Sequence, residues 1–224
     1  MLDFTGVIAA WPTFLTGLGV TAALTLVSCL LGTLLGIACA WCRVYGSTPL
    51  RAIVACYVEF FRNTPFIVQI FFIYFGLPAA GLKLASFPAA IVALIINLGA
   101  YACEIVRAGI QATPRGQVEA AQSLGLSHWQ VFSRVVLPPA LSRVWPGMTS
   151  QLVIIMLATA ICSLISTEEL SYAANLIASQ TFLRFESYIV VTVLYLVLSI
   201  CFRRFLHWLG PRWIFGCAPV GGAR

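Results

Sequence analysis

The sequence predicts an all-α integral membrane protein with five transmembrane helices, its N-terminus outside, its C-terminus cytoplasmic, and two short helices between the third and fourth spans. Three observations predict it. Of 224 residues, 61% are hydrophobic and only 9% charged, where an average soluble domain is about 25% charged. Five apolar stretches, at about 14–40, 52–76, 86–108, 144–166 and 186–206, can each cross a hydrocarbon core of about 30 Å, which takes about 20 helical residues. The arginines, finally, are distributed unevenly between the connections. The spans take up about half the chain, so residues 1–224 read as a single transmembrane domain with no room for a separate soluble one.

The first and fourth stretches contain no charged residue. The first is too long for a cleaved signal, has no basic residue before it and is preceded by Asp3. Its Gly32-x-x-x-Gly36 pair reads as a packing surface for a neighbouring helix. The connectors Tyr45–Arg51 and Leu77–Ser86 contain Gly, Pro and Ser and read as turns. Between the third and fourth spans the connection at about 111–139 is too polar to cross a membrane, yet it is well punctuated. Thr113 followed by Pro114 reads as an N-cap with proline at the first helical position, and Gly125 as a C-cap. Ser127 and Gln130 form a capping box that opens a second short helix, which Pro138 and Pro139 are expected to end before the fourth span begins. In the fifth stretch the uncharged part runs only from Ser187 to Phe202. Arg203 and Arg204 can reach the interface on their long stems and let the helix continue.

Charge placement sets the expected orientation. Arg43 and Arg51 lie between the first two spans, Arg107, Arg115, Arg134 and Arg143 around the third connection, and Arg203, Arg204, Arg212 and Arg224 after the fifth span. The opposite face carries only Lys83 and Arg184, beside Asp3, Glu168, Glu169 and Glu186. Cytoplasmic loops retain Lys and Arg, which places the N-terminus outside. The net charge of +6 then reflects topology and anionic membrane lipid, with no nucleic acid partner expected.

Several chemistries are disfavoured. Cys39, Cys42 and most of the other cysteines fall in or near apolar runs as small hydrophobes, and no histidine or second pair completes a metal site with Cys39-x-x-Cys42. A phosphate-binding loop needs Gly-x-x-x-x-Gly-Lys-Ser/Thr, but the one lysine, Lys83, follows Leu82. The chain is therefore expected to hold no cofactor of its own. His128 and His207 are far apart in sequence, without the nucleophile or metal-ligand spacing of an enzyme. A secondary transporter is disfavoured by the small bundle without internal repeats.

The segment Gly116 to Leu141 contains Glu119-Ala120-Ala121, then Gly125, then Leu137-Pro138. It resembles the EAA loop in permease subunits of binding-protein-dependent ABC importers. Glu59-Phe60-Phe61-Arg62-Asn63-Thr64-Pro65 with Gln69 and the run Phe71 to Pro78, and Ala100-Tyr101 with Glu104, Arg107-Ala108-Gly109-Ile110 and Gly116-Gln117, are similar to blocks of the polar amino acid group, the histidine/glutamine/opine permeases. The resemblance implies a five-helix subunit in the bacterial inner membrane. Its partners would be a second permease subunit, same or similar, two cytoplasmic ATPase subunits and a periplasmic solute-binding protein. One block departs: many relatives carry Lys-Asp-Thr-Ser-Leu where this chain has Leu157-Ala158-Thr159-Ala160-Ile161. A scaffold half of a heterodimer, making no substrate contact, stays open as the alternative.

Candidate residues follow. Glu119, Ala120, Ala121 and Gly125 are expected to couple to the ATPase, the small residues allowing close approach and the acid suiting a helix N-terminus or an arginine. For the substrate pathway the candidates are Arg62, Asn97, Glu59, Glu104, Thr159 and Ser163, with Gln151 ranked below them. Ionisable groups inside a membrane usually face protein or water. Glu59 and Arg62, like Glu104 and Arg107, are spaced to meet on one helix face, and each pair could equally serve only to lock helices together. Arg62 is a fixed cation for a carboxylate one turn from Pro65. Asn97 suits a zwitterion or an interhelical hydrogen bond. Glu168, Glu169 and Glu186 in the outer loop are candidates for docking the solute-binding protein.

Overall fold

A computed structural model describes residues 4–210 and 212; Asp3 and Arg224 lie outside the described residues. After a short helix α1 (Thr5–Ala9), α2 (Trp11–Tyr45) forms the first span. It outruns the expected 14–40 at both ends, because Pro12 is tolerated in the first turn and nothing interrupts the ladder before Gly46. At about 52 Å it is longer than the bilayer core.

The second span corrects the expectation of one helix over 52–76. It is broken into α3 (Thr48–Arg62) and α4 (Phe66–Phe71), the latter continuing through a wide turn to Ala80, and the two halves bend by 109°. Pro65 has no N–H, and its ring excludes the carbonyl of Phe61 four residues back. Proline also pushes Thr64 out of the helical region. The segment ends at Gly81, whose φ of +85° makes the turn.

The third span, α5 (Ser86–Gln111), is the most buried of the spans and packs most extensively on α2. Gly32 and Gly36 permit this approach. A Cβ on Gly32 would come within 2.8 Å of Leu98, and one on Gly36 would meet the Ala102 side chain and, at 3.0 Å, the Cys103 nitrogen.

Beyond it lies α6 (Arg115–Ser123), which is capped by Pro114, not by Thr113; the threonine hydroxyl instead donates back to Gly109 O. Gly125 follows with φ +76°. Its N–H donates to Gln122 O and that of Leu126 to Ala121 O, the paired bonds of a left-handed glycine cap. Ser127 and Gln130 make the expected capping box.

The second short helix, however, does not stop at Pro138. α7 (His128–Gln130) passes through a π-turn (Val131–Val136) straight into α8 (Leu137–Ala158), giving one helical run from His128 to Ile165. The prolines sit in the first turn of α8, and the widened turn before them relieves the ladder of bonds they cannot make.

The run ends in a seven-residue 3₁₀ segment, Thr159–Ile165, and reverses at Ser166 with φ 58°. The connection that follows contains α9 (Leu170–Thr181), a helix not expected from the sequence, and α10 (Arg184–Leu209) is the fifth span. Among the described residues four helices are long and apolar enough to cross a membrane, and the bent pair, taken as one span, makes five.

Candidate functional site

The charged groups of the bundle converge on Glu104. Arg107, one turn further along α5, donates to both its oxygens, from Nε at 3.1 and 3.2 Å and from Nη2 at 2.5 Å. Arg43 of α2 approaches to 3.9 Å and Arg62 of α3 to 4.0 Å. Gln111 accepts from the far side of Arg107. One carboxylate, 18% exposed, thus joins three helices through three guanidiniums. Of the two expected pairs, Glu104 with Arg107 forms and Glu59 with Arg62 does not: Glu59 is exposed, and among the described residues it pairs with none of these arginines. Arg43, read only as a topology marker, takes its place.

Arg62 ends α3 at the break. Its side chain is 43% exposed and lies over the Tyr101 ring, 5.6 Å from the centroid. Having one weak ionic contact and an open fork, it can still receive an anion.

The break itself is held by Gln69. Its Nε2 donates to Phe61 O at 2.8 Å, Thr64 O at 3.0 Å and Thr64 Oγ1 at 2.9 Å. Phe61 O is the carbonyl that Pro65 leaves without a partner. Asn97 Nδ2 in turn donates to Gln69 Oε1 at 2.9 Å, so its amide serves an interhelical bond in a buried site. Thr159 and Ser163 are spaced along 3₁₀ geometry, and their hydroxyls donate to Met156 O and Ala160 O. Among the described residues none of these three makes a hydrogen bond to Arg62.

At the connection, Glu119, Ala120 and Gly125 are exposed, but Ala121 is buried. It fastens α6 to the core instead of facing outward. Leu124 and Trp129 flank the corner, 81% and 62% exposed. Trp129 packs on Trp41 and Phe132 on Tyr45 at the end of α2, with ring centroids 6.3 and 5.9 Å apart, which ties the corner to that end of the bundle.

Two of the acids expected on the outer loop are buried. Glu169 is fully buried as the N-cap of α9; its carboxylate accepts from Tyr172 N–H, Tyr195 Oη and Thr21 Oγ1. Burial pushes its pKa up, and these donors oppose the rise. Glu186 is also buried, while Glu168 is exposed.

This architecture is that of a transport channel subunit. Residues 32–215 match the family described as the binding-protein-dependent transport system inner membrane component, and the chain belongs to that family. It is a multi-pass protein of the bacterial inner membrane and the transmembrane component of a transporter, not an enzyme. It is 40% identical over 166 residues to the probable glutamine ABC transporter permease protein GlnM of Bacillus subtilis, covering 74% of this chain and 77% of that one. With the glutamine transport system permease protein GlnP of Escherichia coli it shares 31% over 212 residues, 94% of this chain and 97% of the other. A crystal structure of an amino acid ABC transporter with histidines superposes with a TM-score of 0.84 at 34% identity, covering 95% of this chain and 99% of that chain. The inward-facing MetNI methionine transporter, at 21% identity and a TM-score of 0.69 over 88% and 96% of the two chains, shares the fold.

Proposed function

We propose that this chain is half of the membrane channel of an importer for a polar amino acid or related solute, driven by two cytoplasmic ATPase subunits and fed by a periplasmic solute-binding protein. The arginine-rich end of the bundle faces the cytoplasm, as the retention of Lys and Arg there requires. The observation that carries the reading is the corner between α6 and α7, where Glu119, Ala120 and Gly125 stand exposed between Leu124 and Trp129 and close backbone approach is open to a partner. Work done by the ATPases enters there and passes through the Trp41 and Phe132 packing to α2 and α8. The cargo follows from relatives named for glutamine, arginine and cystine transport. Arg62 is the cation that meets the solute carboxylate.

A second reading is favoured by the internal bonding of Thr159 and Ser163, whose hydroxyl protons go to the backbone carbonyls of Met156 and Ala160, and of Asn97, whose amide is tied to Gln69. In it this chain is the scaffold half of a heterodimer. Reconstituting the complex in proteoliposomes and measuring amino-acid uptake and solute-stimulated ATP hydrolysis with Arg62→Gln separates the two. Loss of both supports solute contact; unchanged uptake and stimulation support the scaffold.

A further inference from the structure

We infer that α2, α8 and α10 form a binding site for one anionic phospholipid. A groove of about 240 Å³ opens on the outside of the bundle, walled by Ala22, Leu26, Met156, Leu198, Cys201 and Phe205. Thr25 also lines it, but its hydroxyl donates to Thr21 O, so the lining offers an apolar tail and no free polar group.

The groove leads to a cation. Phe205 stacks on Trp208 with centroids 6.2 Å apart, and the Arg212 guanidinium lies 5.4 Å from the Trp208 ring centroid. Leu198, Cys201, Phe205 and Trp208 form one stripe at helical spacing along α10. Arg204, also exposed, flanks it within reach of its long stem. Trp208 lies about 15 Å along α10 from Leu198, the depth of one leaflet of a core about 30 Å thick, and Arg212 lies over the Trp208 ring. An acyl tail in the groove therefore puts its phosphate beside Arg212 and Arg204, with Trp208 at the headgroup level.

Native mass spectrometry of the full-length chain, incubated with equimolar dioleoylphosphatidylglycerol and dioleoylphosphatidylcholine, tests the site. One phosphatidylglycerol should be retained over phosphatidylcholine by about tenfold, the worth of one or two surface arginines. Arg212→Gln combined with Arg204→Gln should equalise the two lipids, and Cys201→Trp, which fills the groove from an exposed position, should release both. Equal retention by the unaltered chain, retention unaffected by Cys201→Trp, or displacement by glycerol phosphate without tails would each overturn the inference.

Discussion

Gln69 shows how one side chain can hold a broken helix. Three acceptors around the Pro65 break draw on its single amide nitrogen, and Asn97 fixes the other end of the amide. Gln69→Leu would leave Phe61 O and Thr64 O without that donor, at a cost of about 1–3 kcal/mol for each buried group left unpaired. Its thermal unfolding midpoint in detergent should fall clearly below that of the unaltered chain, and a midpoint that does not move would contradict the latch. Glu104 makes a similar argument with charge. Glu104→Gln leaves Arg43, Arg62 and Arg107 facing one another with no anion and should lower the same midpoint, whereas Glu59→Gln, at an exposed position outside the cluster, should not. Glu169 carries a pH signature. Its raised pKa means that the folded state holds the proton more tightly than the unfolded chain. Its contribution is therefore fully present below the ordinary glutamate range and is lost as pH rises through the folded value. Comparing unfolding midpoints across pH should show the unaltered chain losing ground to Glu169→Gln as pH rises, and parallel profiles would count against this.

Between elements, the tightest constraint is the seam of α2 on α5. Gly36→Val places atoms where Ala102 and the Cys103 backbone already sit, so either the helices part or the side chain is strained, at about 1–3 kcal/mol. Gly19→Ala in the same helix meets nothing within 4 Å and should be tolerated. Equal midpoints for the two variants would refute the seam. The small-xxx-small pattern that marks this seam was plain in the sequence, as were the Ser127 and Gln130 cap and the Gly125 turn, because each is written in adjacent residues. Local signals were less reliable where two of them compete. Pro65 lies inside an apolar run long enough to span, which reads as one helix, but the chain bends fully because Gln69 supplies donors to the carbonyls freed at the break. Pro138 and Pro139 were read as a stop, yet a widened turn carries the helix past them.

For the molecule as a whole, membrane class and span number were legible because hydropathy integrates over about 20 residues. The site was legible only in part. Arg62, Glu104 and Arg107 were found from helical spacing, but Arg43 joins them from another span, and no single-helix pattern marks that meeting. The acid at position 169 was read as a surface charge because its donors, Thr21 and Tyr195, lie far away in the chain. The proposed function rests on force arriving from a separate ATPase at the exposed corner. The most direct test is affinity purification of the chain co-expressed with its cognate ATPase subunit, comparing the unaltered protein with Glu119→Lys. The account predicts a stable complex with the former, and with the latter a chain that still inserts in the membrane but brings down no ATPase. Undiminished co-purification with Glu119→Lys would contradict it.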